Sequence, residues 1–327
     1  MVNKKTKKKT VKKTVKKVAT KKPVIKQPPI IETKEETPVQ EKPQKYAFFV
    51  GCTTRVRLPY IEKLSRDIFA KLDIELVDLE FSCCPTARIA KDVDEKSWLL
   101  IAARNLALAE KEGLPVLSMC TGCTQTLMEA KHDLEDIDTK KEVNKKLAEF
   151  DLEYTGVVEV KFYAQLIHEL QDKIKPLITN KLNLRIATHS GCHILRPSKI
   201  MKFDDPENPT KLDELVTLLG ADSVDYQKKP LCCGFPIYNV DVEAAKLIMK
   251  DKISMINADC MFVVCPTCFE YFELHQKVIA NEMGFKPIMI FHFMQLLGTA
   301  MGYSIEDIGY EHLRFKEEGF LEKLKRD

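Results

Sequence analysis

The sequence predicts an α/β protein of two pseudo-two-fold-related domains, each a mainly parallel sheet flanked by helices, behind a disordered N-terminal tail. Three observations carry this. Short apolar runs alternate with amphipathic segments of helical period, the pattern of strands joined by crossover helices. A five-cysteine pattern occurs twice: Cys52, Cys83-Cys84, Cys120 and Cys123, then Cys192, Cys232-Cys233, Cys265 and Cys268. The lysine-rich first 45 residues differ in composition from all that follows. The resulting boundaries are a tail over 1–45, a first cysteine-rich domain over 46–183, and a second over 184–327 that ends in a C-terminal helix.

The elements follow in order. YAFFVGC (46–52) is a short apolar run ending in Gly-Cys, which suits a buried strand and a loop. In 60–72, Ile61, Leu64, Ile68 and Leu72 share one helical face. IELVDLEF (74–81) reads as a strand, stopped by the turn at Cys83-Cys84-Pro85. Residues 94–113 form a long amphipathic helix with a glycine stop, and LPVLSMC (114–120) a strand whose C-T-G-C loop opens a further helix. Residues 131–156 are charged and helical in pattern and read as a surface insertion, and 158–170 begin strand-like and turn helical. The second half repeats the order: strand 184–192, helix 210–220, doublet segment 221–236, helix 240–258, strand 259–265, then C-P-T-C opening a helix. VKFYAQLI (160–167) has its likeness in IFHFMQLL (290–297). A period of about 140 residues is too long for a solenoid and is read as an internal duplication.

Composition bounds the function. The 327 residues are 45% hydrophobic and 30% charged, as in a soluble globular protein. The net charge of +3 hides an asymmetry, because residues 1–45 carry 15 Lys and 4 Glu, or +11, which leaves −8 for the remainder. The tail cannot bury enough apolar surface to offset its ordering entropy, so disorder is expected. It is read as a solvated solubility tail or as an arm for an acidic partner. With no aromatic residue it cannot stack bases, which makes nucleic acid an unfavoured partner. No apolar stretch of secretory or membrane-spanning length occurs, so a cytoplasmic protein without a membrane span is expected. There, eleven cysteines point to metal or redox chemistry in preference to structural disulfides.

Every cysteine group lies just beyond the C-terminal end of a predicted strand, the edge at which open α/β sheets bind ligands. Cys123 and Cys268 open helices, where the dipole favours thiolate. Five cysteines exceed the four ligands of a tetrahedral zinc, and a thioredoxin-like site needs only one Cys-x-x-Cys. A multi-iron sulfide cluster fits better, because adjacent cysteines can bind different irons. The usual ferredoxin spacing is absent, so the cluster is expected to be atypical. Cys260, without a counterpart in the first half, is read as a buried core thiol.

Cys-x30-Cys-Cys-x35-Cys-x-x-Cys followed by Cys-x39-Cys-Cys-x31-Cys-x-x-Cys resembles the duplicated cysteine-rich "CCG" domain. In size and layout the chain resembles the B-type subunits of heterodisulfide reductase from methanogenic archaea, over about residues 45–300. The first doublet departs from the pattern, reading Cys-Cys-Pro where the second reads Cys-Cys-Gly. The resemblance implies two non-cubane [4Fe-4S] clusters. One would be held by Cys52, Cys83, Cys84, Cys120 and Cys123, the other by Cys192, Cys232, Cys233, Cys265 and Cys268. It implies reductive cleavage of the mixed disulfide of coenzyme M and coenzyme B in methanogenesis. The partners it implies are the reductase's ferredoxin-like C-type subunit, its flavin and iron–sulfur A-type subunit, and a hydrogenase.

His193 directly follows Cys192. It is read as the catalytic proton donor or as a hydrogen-bond partner that tunes the cluster. His189, further back on the strand, is read as structural. Arg55, Arg57 and Arg196, in the loops after Cys52 and Cys192, are candidate anchors for substrate anions or ordinary surface arginines. The other readings are an electron-transfer subunit of a lactate, glycolate or succinate oxidation system and, in a different class, a non-enzymatic metal-binding or nucleic-acid scaffold.

Overall fold

Why the apolar runs become strands is visible in their burial. In the computed structural model, which describes residues 44–86 and 90–324, Tyr46 to Val50 are buried on both faces of a sheet. Such a strand needs no polar alternation. Strands β1 (Gln44–Phe49), β2 (Ile74–Val77), β3 (Val116–Ser118) and β4 (Val160–Phe162) form one parallel sheet in the order β2-β1-β3-β4. Strands β5 (Arg185–His189), β6 (Asp222–Val224), β7 (Cys260–Val263) and β8 (Met289–His292) form a second with the same order, β6-β5-β7-β8. The registers correspond as well: Ala47 lies opposite Val116 and Ile186 opposite Cys260. The chain is therefore a structural duplication, and Cys260 is a fully buried residue of β7.

Parallel neighbours require crossovers, and helices supply them. Between β1 and β2, helix Pro59–Lys71 starts on a proline, where the missing N–H costs nothing, and buries Ile61, Leu64 and Ile68. Between β2 and β3, helix Glu95–Lys111 is capped by Asp94, whose side chain accepts from the Ser97 N–H. It buries Trp98, Leu99 and Leu106. In the second half, Asp241 caps helix Val242–Ile253 through the Ala244 N–H. Fully buried rings such as Phe48, Phe262 and Phe291 each contribute about 1.5–3 kcal/mol by leaving water.

Several sequence expectations need correction. β2 ends at Val77, and residues 78–86 continue without regular structure, because Asp78 and Glu80 turn to solvent and Phe81 packs on Phe49 instead. β1 begins at Gln44, so Gln44 and Lys45 belong to the fold; the rest of the expected tail lies outside the described residues. The surface insertion holds the expected helix, Ile137–Leu147, but Val143 and Leu147 are buried, so it packs on the core. The doublet segment of the second half contains the short strand β6. The C-terminal helix is reduced to Phe320–Leu324, with 325–327 outside the described residues. Among the described residues no helix is long and apolar enough to cross a membrane.

The halves interlock. Tyr163, just after β4, donates to the Val264 carbonyl at 3.1 Å and stacks on His292 with ring centroids 5.7 Å apart. Helix Phe293–Ala300 of the second half packs on helix Pro59–Lys71 of the first, with Gly298 against Leu64. Loops that follow strands of both sheets line one cavity.

Candidate metal centre

Each cysteine is positioned by an element with a physical reason to end where it does. Gly51 and Gly191 leave β1 and β5 at φ 79° and 75°, a backbone region that suits glycine. A Cβ on Gly51 would lie 3.3 Å from Cys123 Sγ, and one on Gly191 3.5 Å from Cys265 Cβ. Both turns are thus pressed onto a Cys-x-x-Cys. Cys120 and Cys265 are the N-cap residues of helices Thr121–Asp133 and Pro266–Met283, and Cys123 and Cys268 lie in their first turns. Free N–H groups and the positive dipole end there favour thiolate.

The doublets are held from behind by the crossover helices. Buried Asn105 accepts from the Ser82 N–H at 2.9 Å and hydroxyl at 3.0 Å, and donates to the Ser82 and Cys83 carbonyls. In the second half Lys252, 1% exposed, donates to the Lys228 and Lys229 carbonyls. The Gly234 N–H donates to Cys232 Sγ at 3.4 Å.

The ten cysteines converge. All of them line one cavity of about 300 Å³ between the halves. Their thiols crowd together, and Cys123 donates to Cys84 at 3.1 Å. That contact pulls Cys84 down to about 4, as a thiolate. In the second set the neighbouring thiols hold two members low: Cys192 lowers Cys232, and Cys120 of the first half lowers Cys265. The partners Cys83 and Cys192 are pushed up correspondingly.

His193 lines the same cavity, but its ring crosses towards the first half instead of staying beside Cys192 alone. Its Nδ1 lies 3.3 Å from where a Cβ on Gly122 would be. After Cys123 and Cys83, it adds to the forces favouring the Cys84 thiolate. The arginines are not brought into the cavity. Arg55 borders an adjoining hollow with Cys52, Cys83 and Cys84 and pairs with Glu62 and Asp78. Arg57 pairs with Glu270 at 3.2 Å, and Arg196 with Glu207 at 2.9 Å.

Sequence reasoning missed His189. It is fully buried at the end of β5, and neither ring nitrogen has a hydrogen-bond partner. One nitrogen and the Cys233 and Cys268 sulfurs lie within 4.8 Å of one another. Burial pushes its pKa down to about 3, so it is neutral and one nitrogen carries a proton with no acceptor. Sulfide or thiolate of a cluster at these cysteines would give it one. An orphaned imidazole beside two buried cysteine sulfurs therefore fits an iron–sulfur group. The signal lies in the repeat: His189 stands three residues before Cys192, where the first half has Phe49 before Cys52.

Fold and site define the class, a duplicated cysteine-rich protein of the iron–sulfur type. The chain belongs to the cysteine-rich CCG domain family, which matches residues 46–128 and 186–273. It is 36% identical over 290 residues to the B-type subunit of the ferredoxin/F(420)H(2)-dependent CoB-CoM heterodisulfide reductase of Methanosarcina acetivorans, covering 86% of this chain and 97% of that one. It is 34% identical over 280 residues to the 8-methylmenaquinol:fumarate reductase membrane anchor subunit of Wolinella succinogenes, covering 82% and 96%. A crystal structure of a hypothetical protein from Helicobacter pylori shares the fold with a TM-score of 0.66 at 16% identity; the match covers 84% of this chain and 52% of that one.

Proposed function

We propose that this chain is the catalytic iron–sulfur subunit of a heterodisulfide reductase, cleaving the coenzyme M–coenzyme B disulfide to two thiols. The observation that carries the reading is the single cavity lined by all ten cysteines of both halves. Cys52, Cys83, Cys84, Cys120 and Cys123 would hold one non-cubane [4Fe-4S] cluster, and Cys192, Cys232, Cys233, Cys265 and Cys268 the other. Cleavage consumes two electrons and two protons: the S–S bond breaks and each sulfur leaves as a thiol. When bound, the clusters supply the two electrons, one each. The chain's own residues do the rest. The cavity brings both cysteine sets to one place, and His193, which reaches from one half to the other, delivers one proton while solvent supplies the second. Of the arginines, Arg55 is the best-placed anion anchor, since it borders the cysteine hollow. Electrons would arrive from a ferredoxin-like C-type subunit, fed by a flavin-containing A-type subunit and a hydrogenase, within a cytoplasmic complex.

The test is metal analysis of anaerobically purified protein together with dye-driven cleavage of the disulfide. About eight irons per chain and turnover are expected. Two zincs with little iron would overturn the reading. A second reading, electron transfer between quinol and fumarate, or in lactate, glycolate or succinate oxidation, is favoured by the similarity to the Wolinella protein. It predicts iron without disulfide cleavage.

A further inference from the structure

The duplication is not electrically symmetric. Asn105 and Lys252 occupy corresponding places, each eleven residues after the aspartate that caps its helix, Asp94 or Asp241. Both are buried, and both hold the loop that leads into a cysteine doublet. Asn105 is neutral, whereas Lys252 carries an ammonium group. Among the described residues no carboxylate pairs with that ammonium. Its neighbours are the two loop carbonyls and the Tyr226 ring at 5.4 Å. The adjacent lysines differ in this respect: Lys228 pairs with Asp251 at 2.6 Å, and Lys229 with Asp213 and Asp225. The Lys252 charge is felt by Cys232, Cys233, Cys268 and Cys192, four of the five thiols of the second set. Burial pulls Lys252 down to about 8, which still leaves it charged at neutral pH. His189 adds an N–H donor to the same set, where the first half has the ring of Phe49. The first set has no such buried ammonium: the His193 ring leans on it from the second half and favours the Cys84 thiolate, Arg55 is exposed and already paired with two carboxylates, and Asn105 carries no charge.

An uncompensated buried cation and a hydrogen bond to sulfur both stabilise a metal centre more as it gains negative charge. Resting on the reading that each set holds an iron–sulfur cluster, we infer that Lys252 and His189 make the second-half cluster the higher-potential one, so that it takes up the first electron. Lys252 acts as a positioning and tuning residue: it touches the loop, not the substrate. In a chain that has taken up a single electron, that electron then resides on the second-half cluster.

The experiment is a redox titration of the intact, iron-loaded chain followed by electron paramagnetic resonance. Signals are assigned by comparison with Cys84→Ser, which disturbs the first set, and Cys233→Ser, which disturbs the second. In the wild type the second-set signal should change at the higher potential. Lys252→Met should lower that midpoint by at least a tenfold change in the one-electron equilibrium, about 59 mV, and leave the first set unmoved. Lys252→Arg should restore it. Equal midpoints in the wild type, or a higher one for the first set, would overturn the inference even where Lys252→Met fails to load iron. So would a loaded Lys252→Met with unchanged midpoints. Absence of iron from the wild type would instead remove the reading on which the inference rests.

Discussion

Gly122→Ala separates positioning of the His193 ring from stability of the fold. Gly122 is the second residue of helix Thr121–Asp133 and has ordinary helical backbone, so alanine is conformationally welcome there. Removing glycine from a helix is worth up to about 1 kcal/mol. The new methyl would stand 3.3 Å from His193 Nδ1 and 3.9 Å from Cys120 Sγ. The second contact is ordinary; the first is short by a few tenths of an ångström, and the imidazole must give way by that amount. If a misplacement of about 1 Å costs a reacting system about 100-fold, a few tenths should cost roughly three- to tenfold. The ceiling is the whole of general acid catalysis, about 100- to 10,000-fold. The assay pairs thermal denaturation with kcat for disulfide cleavage over a range of pH. The expected variant is as stable as the parent or slightly more so, fully loaded with iron, and three- to tenfold slower. Unchanged kcat and an unchanged pH profile would refute a proton-delivering role for the ring at this place.

Two further outcomes follow from the geometry. Cys84→Ser removes the thiolate that Cys123 stabilises at 3.1 Å, so iron should fall from about eight to about four per chain while the second set keeps its spectrum; undiminished iron would take Cys84 off the ligand set. Glu273 is 5% exposed in helix Pro266–Met283, and burial raises its carboxyl from 4.5 to about 7 against the opposing N–H groups of Arg314 and Phe315. A raised folded pKa means stability that is complete below about pH 4.5 and lost as pH climbs through 7, by about 3 kcal/mol in all. Melting temperature should therefore decline between pH 5 and 8, and Glu273→Gln should flatten that decline; parallel profiles for the two proteins would contradict it.

Much of this architecture is written in the sequence because duplication writes it twice. The continuous apolar run at Tyr46–Val50 and the Gly-Cys stop after it are strong local signals, and their repetition at 184–192 makes the second reading independent of the first. The convergence of the cysteines is legible for the same reason: parallel strands bring successive C-terminal ends to one edge. What stays hidden depends on non-local packing. Phe81 looks like the end of a strand, yet it leaves the sheet to meet Phe49 at 4.9 Å, a contact no local pattern encodes. His189 reads as a strand residue because period alone cannot tell an imidazole facing hydrocarbon from one facing thiols. Nor can spacing tell that His193 leans across the boundary to Gly122.

The one cavity that both cysteine sets line has a consequence for how such a site could have arisen. A pair of identical single-repeat chains could build the same chamber about a true two-fold axis, but every wall would then be its own mirror in sequence. Joining the copies in one chain lifts that restriction. Thr53 can stand where its counterpart is His193, Phe49 where it is His189, and Asn105 where it is Lys252. A chamber with unlike ends can tell one end of an unsymmetrical guest from the other. Covalent linkage of the repeats is thus what allows a symmetric scaffold to hold its guest in one direction.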